Sequence, residues 1–406
     1  MIYLIKYKKL DNGIGVYYIK VKSDDITVIA NTTTGPLYES EKNKGISHLI
    51  EHLLFKGTPS RKNRDSIYNE INLLGGVEFC YTDTFSIPLG MRVLSKDFEP
   101  TLELIADLLY NSNMNQEEIS KEKNIVLSEI RQREDDPFVC IWDIFEETLF
   151  DGTLLAQPRI GKANIIQALT HKEILDYYKK TFVPKNTKLF IVGPENFKDI
   201  LKKVNKYFDR FISNCNQKFP PVVKLLPNKA KIKIIQKEID QSHIKIGRTV
   251  PSSNHRDTYA LEVLGHILSR TINDIFLNKK SISYSSNAGY YKTKYAGIIF
   301  AEAASERKNI EEIQRAIISI FTKFSKGDIS KNYFIDSKKI ILKSYLLGNC
   351  STMDIAKNAL NKWLEGDIQS INRYEKGIKN VTLKQVQKVA KDYLKTDDLL
   401  TVIMGK

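Results

Sequence analysis

The stretch Gly45-Ile-Ser-His-Leu-Ile-Glu-His-Leu-Leu-Phe-Lys-Gly-Thr58 decides how this chain is read. Ile46, Leu49, Ile50, Leu53 and Leu54 recur at helical spacing, so one face is built for a core. His48 and His52 stand at i and i+4, one turn apart on one side, where a single metal ion can reach both. Glu51 follows His48 by three residues and can reach a water at that metal. Two buried imidazoles beside a carboxylate are costly to satisfy without a metal.

Two histidines do not complete a catalytic zinc site, which usually has three protein ligands and an open position. The segment from Asn115 to Arg131 supplies candidates. Asn115 can cap a helix there, and Glu117 and Glu118 suit its positive end. Glu122 and Glu129 lie two turns apart on one face, while Ile119, Val126 and Ile130 give the helix a surface to bury. By spacing, one of these glutamates can ligate and the other can hydrogen-bond a ligand imidazole. The order H-x-x-E-H is the inverted zinc-peptidase motif. Zinc acidifies water and polarises a carbonyl, and Glu51 is the natural group to carry the proton.

Working outward, the chain repeats itself. Ala163–Gly193 aligns without a gap on Glu375–Gly405, an offset of 212 residues. Each copy runs a helix-start threonine (Thr170, Thr382), a helical stretch and a short apolar strand ending in glycine. Upstream, Glu122–Glu129 aligns with Ser337–Ser344, and both glutamates have become serine. Residues 211–230 contain Pro220, Pro221 and Pro227 among polar residues, as a linker would. We therefore expect domains at 1–210 and 231–406, with the metal site in the first and a degenerate copy in the second. Alternation in 3–9, 14–20 and 25–32 predicts an opening meander, and 77–92 predicts a further strand. Helical patterns lie near 45–57, 63–75, 97–112 and 116–134. The fold class is α+β: two tandem homologous domains, each an antiparallel-rich sheet with helices packed on it.

Composition narrows the class. The 406 residues suffice for two full cores, and 42% hydrophobic with 27% charged residues is a globular balance. No apolar run reaches the roughly 20 residues of a membrane span. The start, Met1 to Leu10, alternates like a strand and lacks the features of a signal or transit peptide, so a cytoplasmic address is expected. Cys80, Cys140, Cys215 and Cys350 are widely spaced and read as reduced thiols. The net charge of +14 comes from lysines spread along the whole chain, without a nucleic-acid-binding motif, so no nucleic-acid partner is expected.

With these residues in view, the chain resembles the pitrilysin family of zinc peptidases, the group of insulin-degrading enzyme and mitochondrial processing peptidase, and most closely its short bacterial members. Leu10-Asp-Asn-Gly13 is similar to the family's opening turn, Gly45–Thr58 to its metal helix, and Arg131–Pro137 to the segment after its glutamate pair. Glu129, 77 positions after His52, matches the family's third ligand, and Glu122 opens the E-x6-E pair. The resemblance implies one Zn2+ per chain held by His48, His52 and Glu129, with Glu51 as general base and then acid and Glu122 orienting a ligand. It also implies a peptide substrate lying as an added strand near 79–85, touching Phe79, Cys80, Tyr81 and Thr82, and a homodimer or heterodimer with a related chain. Tyr284 matches a substrate-holding tyrosine of the second half.

Two departures stand out. Phe79-Cys80 replaces the family's Asn-Ala, and Leu277 replaces an arginine seven residues before Tyr284, with Arg270 an alternative source. The expected activity is endopeptidase cleavage of unfolded or short peptides. Its rivals are a non-catalytic interaction subunit of the same fold and a dedicated peptide-maturation protease working in a heterodimer.

Overall fold

The apolar run Thr187–Gly193 organises the first sheet. Its residues are buried on both faces, as a central strand requires. In the computed structural model, which describes residues 2–212, 223, 225–227 and 229–405, it is strand β6. The other strands of this sheet are β1 (Ile5–Lys9), β2 (Gly15–Lys20), β3 (Asp25–Thr32), β4 (Val77–Cys80) and β5 (Ile87–Leu94). Their order is β1-β2-β6-β3-β5-β4, with β2 parallel to β6 and the other pairs antiparallel. The expected opening meander is thus interrupted. β6, far along the chain, inserts between β2 and β3 because it can be buried on both sides. The single strand expected over 77–92 is a hairpin, broken where the Asp83 amide donates to the Ser86 carbonyl.

The second sheet contains β7 (Lys231–Ile235), β8 (Ser242–Val250), β9 (Ser285–Lys292), β10 (Gly297–Ser305) and β11 (Leu400–Met404), ordered β7-β11-β8-β10-β9. Here β7 runs parallel to β11, as β2 runs parallel to β6 in the first sheet. The α+β class and the doubled architecture follow from these two sheets and their helices.

Two compact units result. One gathers residues 1–132, 157–222 and 349–361; the other gathers 133–156, 223–348 and 362–406. The first core places Val28, Leu89 and Ile191 of the sheet against Leu49, Ile105 and Val126 of the helices. The second does the same with Ile244 and Ile299 against Leu264 and Ile317. Each fully buried side chain of this kind contributes about 1.5–3 kcal/mol. The helix Pro137–Leu149, absent from the expected elements, turns Ile141 and Phe145 onto Ile298, Phe300 and Val402 of the second sheet. Of the helix Thr352–Leu364, residues 352–361 belong to the first unit, where Thr352 hydrogen-bonds Thr27 of β3 at 2.8 Å. Of the expected linker, Pro220 and Pro221 lie outside the described residues, as does Cys215. Among the described residues no helix is long and apolar enough to cross a membrane.

Candidate metal centre

The helix Ile46–Leu53 is held at its start by a residue distant in pattern but close in space. The buried carboxylate of Glu39 accepts from the Gly45 amide at 2.7 Å and the Ser47 amide at 2.9 Å. These are orphan donors of a first turn, satisfied inside the protein. Gly45 has φ of +92°, and a Cβ there would lie 2.7 Å from Gly161 Cα, so glycine is required on both counts. Ile46, Leu49, Ile50 and Leu53 then fill the core, which turns His48, Glu51 and His52 to the other face.

Glu129 comes from the helix Gln116–Asp135, whose Ile119, Val126 and Ile130 are buried. Its Oε2 lies 3.6 Å from His48 Nε2 and 3.5 Å from His52 Nε2. The three donor atoms all lie within 4.8 Å of one another. Atoms each bound at zinc distance in a tetrahedron would stand roughly 3.4 Å apart. The spacing is therefore that of ligands around a small cation, and wider than a good hydrogen bond. The donor set of two imidazoles and a carboxylate suits zinc.

The groups behind the ligands fix their orientation. His52 Nδ1 lies 3.1 Å from Glu122 Oε2, which directs Nε2 toward Glu129. Lys56, one turn after His52, pairs with the other Glu122 oxygen at 2.6 Å. Burial alone would raise the Glu122 carboxyl, but the contacts to His52 and Lys56 prevail and lower it. Burial alone would lower His52, and Glu122, with the charges of Glu129 and Glu51, prevails and raises it. Glu51 is lifted above the ordinary carboxylate range by burial, against the pull of His52 and the Thr82 hydrogen bond. Lys56 and Glu39 escaped the sequence reading. Lys56 had a signal in its helical spacing from His52; Glu39 had none.

Glu51 and His52 open onto a cleft of about 240 Å3, walled by Phe55, Tyr68, Phe79 and Cys80 among others. Phe79 and Cys80 lie on β4, the edge strand, while Tyr81 and Thr82 follow its end. The Phe79 ring covers Gly90 on the neighbouring strand and carries the Lys357 ammonium 4.1 Å from its centre. Tyr81 is exposed and stacks on Phe79 with centroids 6.0 Å apart. The Thr82 hydroxyl donates to Glu51 Oε2 at 3.0 Å, so this residue is engaged by the carboxylate rather than left open to solvent. Tyr284 belongs to the second unit and is exposed just before β9. Arg270 is likewise in the second unit, 3.3 Å from Asp336 and stacked on Tyr333.

The second unit carries a counterpart without ligands. In the helix Thr258–Asn273, His266 Nδ1 lies 3.0 Å from the Ser337 hydroxyl. Among the described residues, His48, His52 and Glu129 form the only trio able to hold a metal.

Comparison with known proteins agrees with this division. Residues 16–162 match the family described as Insulinase (Peptidase family M16), and residues 168–341 match the Peptidase M16 inactive domain. The zinc protease PqqE of Helicobacter pylori is 24% identical over 99% of this chain and 93% of its own length. An uncharacterized zinc protease of Rickettsia felis is 25% identical over 84% of this chain and 85% of its own. Cytochrome b-c1 complex subunit 1 of Bos taurus is 26% identical over 64% of this chain and 54% of its own. The crystal structure of a protease from Helicobacter pylori shares the fold over 100% of both chains, with a TM-score of 0.95 at 21% identity. With both halves matched and the donor trio in the first, the chain belongs to the M16, or pitrilysin, family of zinc proteases.

Proposed function

We propose that this chain is a zinc-dependent endopeptidase acting on unfolded or short peptides. The carrying observation is the placement of Glu51: its carboxylate is 3.9 Å from His48 Nε2, beside the donor trio, and faces the cleft. Zinc held by His48, His52 and Glu129 would supply Lewis-acid polarisation of the scissile carbonyl. Glu51 takes a proton from the water that attacks that carbonyl and delivers it to the departing amine nitrogen, which separates as the C–N bond breaks. Its burial raises its proton affinity above that of an ordinary carboxylate. Thr82 holds the carboxylate in place, and Glu122 accepts from His52 Nδ1. The open edge of β4 offers backbone groups with which an extended peptide can pair.

A Glu51→Gln variant tests this reading. It should retain zinc and lose cleavage of a mixed peptide library by about 10²- to 10⁴-fold. Unchanged cleavage would exclude the mechanism. The bovine relative is named as a subunit of the cytochrome b-c1 complex, and zinc-loaded wild-type protein that cuts nothing would favour a non-catalytic, subunit-like role.

A further inference from the structure

The second unit holds a cavity of about 110 Å3 that plays no part in the chemistry above. Its walls include Phe138 of the helix Pro137–Leu149, His243 of β8, Ser285 and Asn287 of β9, and Glu302 of β10. Strand register explains the convergence. Glu302 stands opposite Lys245 on one side and Asn287 on the other, so all three share one face of the sheet.

Lys245 is wholly buried, its ammonium 3.8 Å from the Trp142 ring centre and 4.7 Å from that of Phe300. It forms an ion pair with Glu302. A buried pair of this kind gains little over apolar residues of similar volume. What it does achieve is placement: Lys245 holds the Glu302 carboxylate at the cavity wall. The other Glu302 oxygen has only a long contact, 3.3 Å, from Asn287 Nδ2.

His243 supplies the second observation. It is 4% exposed, lines the cavity, and its side chain makes no hydrogen bond among the described residues. Its ring meets that of Phe138 edge-on at 4.6 Å. A ring nitrogen that reaches the cavity without a protein partner is open to a ligand or to water. Burial lowers its pKa, so the ring is neutral and offers a lone pair. Asp136, which caps the same helix as Phe138, adds a second carboxylate near His243. In a chain of net charge +14, two carboxylates and one buried lysine make this a locally acidic place.

We propose that this cavity binds the guanidinium of an arginine side chain in a peptide, with Glu302 and His243 accepting its hydrogen bonds. A guanidinium fits better than an ammonium because its donors fan out in a plane toward separate acceptors. The ring of Phe138, 53% exposed, can cover its flat face. A peptide is the occupant because β9 is an edge strand, so a backbone can pair with it while one side chain enters the cavity beside Ser285. This assignment rests on the reading of the chain as a peptidase.

The test uses the full chain carrying Glu51→Gln, which does not consume peptide. A fluorescent peptide with one central arginine is compared by anisotropy with the same peptide carrying citrulline, its neutral near-isostere. The arginine peptide should bind at least about tenfold tighter. Ser285→Leu, which enlarges a wall residue of the cavity without removing a charge, should abolish that difference. So should Glu302→Gln combined with Lys245→Met, which leaves no buried unpaired ammonium. Equal affinity for the two peptides, or a difference that survives both variants in folded protein, would overturn the proposal. Acetyl-arginine amide binding as tightly as the peptide would overturn the peptide assignment. Arginine discrimination in a chain that cleaves nothing would sink the peptidase reading alone; cleavage without discrimination would sink this one alone.

Discussion

His266 Nδ1 meets the Ser337 hydroxyl at 3.0 Å, the contact that His52 Nδ1 makes with Glu122 at 3.1 Å in the first unit. Glutamate has become serine at both aligned positions, 337 and 344, yet the imidazole still has its partner. The frame of the site has outlived its ligands. One metal per chain is expected in consequence. Zinc measured by mass spectrometry should stay at one equivalent in His266→Ala and fall to a small fraction in Glu129→Gln. Two equivalents in the wild type would contradict this.

Lys56 pairs with Glu122, which in turn holds His52 Nδ1. Lys56→Met removes its charge but keeps much of its packing. Zinc affinity should weaken by roughly 10- to 100-fold, as removal of such supporting partners does. Competition with a calibrated chelator would measure it, and an unchanged affinity would separate Lys56 from the site.

Glu39 carries the start of the metal helix. Glu39→Ala leaves the Gly45 and Ser47 amides buried without acceptors, at about 1–3 kcal/mol each. Glu39→Gln keeps one carbonyl acceptor and should lose less. Urea unfolding would rank the two variants; equal stability would show that water can replace the carboxylate.

Lys188 gives a pH dependence. Burial, with the nearby charge of Lys9, pulls its pKa down to about 8. Between that value and the ordinary lysine pKa, the unfolded chain binds more protons than the folded one. Stability from this group therefore rises with pH across that window and is flat below it. Lys188→Met should be more stable than wild type at pH 7, with the gap closing toward pH 10. A gap independent of pH, followed by urea midpoints, would refute the assignment.

Local features were legible in the sequence, and distant ones were not. His48, Glu51 and His52 share a helix, so spacing alone placed them on one face. Glu122 and Glu129 were recognisable as a pair for the same reason, but only resemblance chose Glu129 as the ligand, because no local pattern encodes the approach of one helix to another. The insertion of β6 between β2 and β3 had no local trace, since strand pairing over such separations depends on burial of both faces. Glu39 caps a helix from outside its own stretch, and a lone glutamate in a loop carries no mark of that. The hairpin at Asp83–Ser86 was hidden because its two strands read as one β-rich run.

The exchange of segments between the two units bears on how the protein is made. The first unit includes residues 349–361, which leave the ribosome only after most of the second unit. At usual elongation rates, the unit with the His48, His52 and Glu129 trio waits on the order of ten seconds for its last helix. During that interval the face of β3 that receives Thr352 is uncovered. Chains stalled near residue 300 should consequently show a protease-sensitive first unit, and chains released past residue 361 a resistant one.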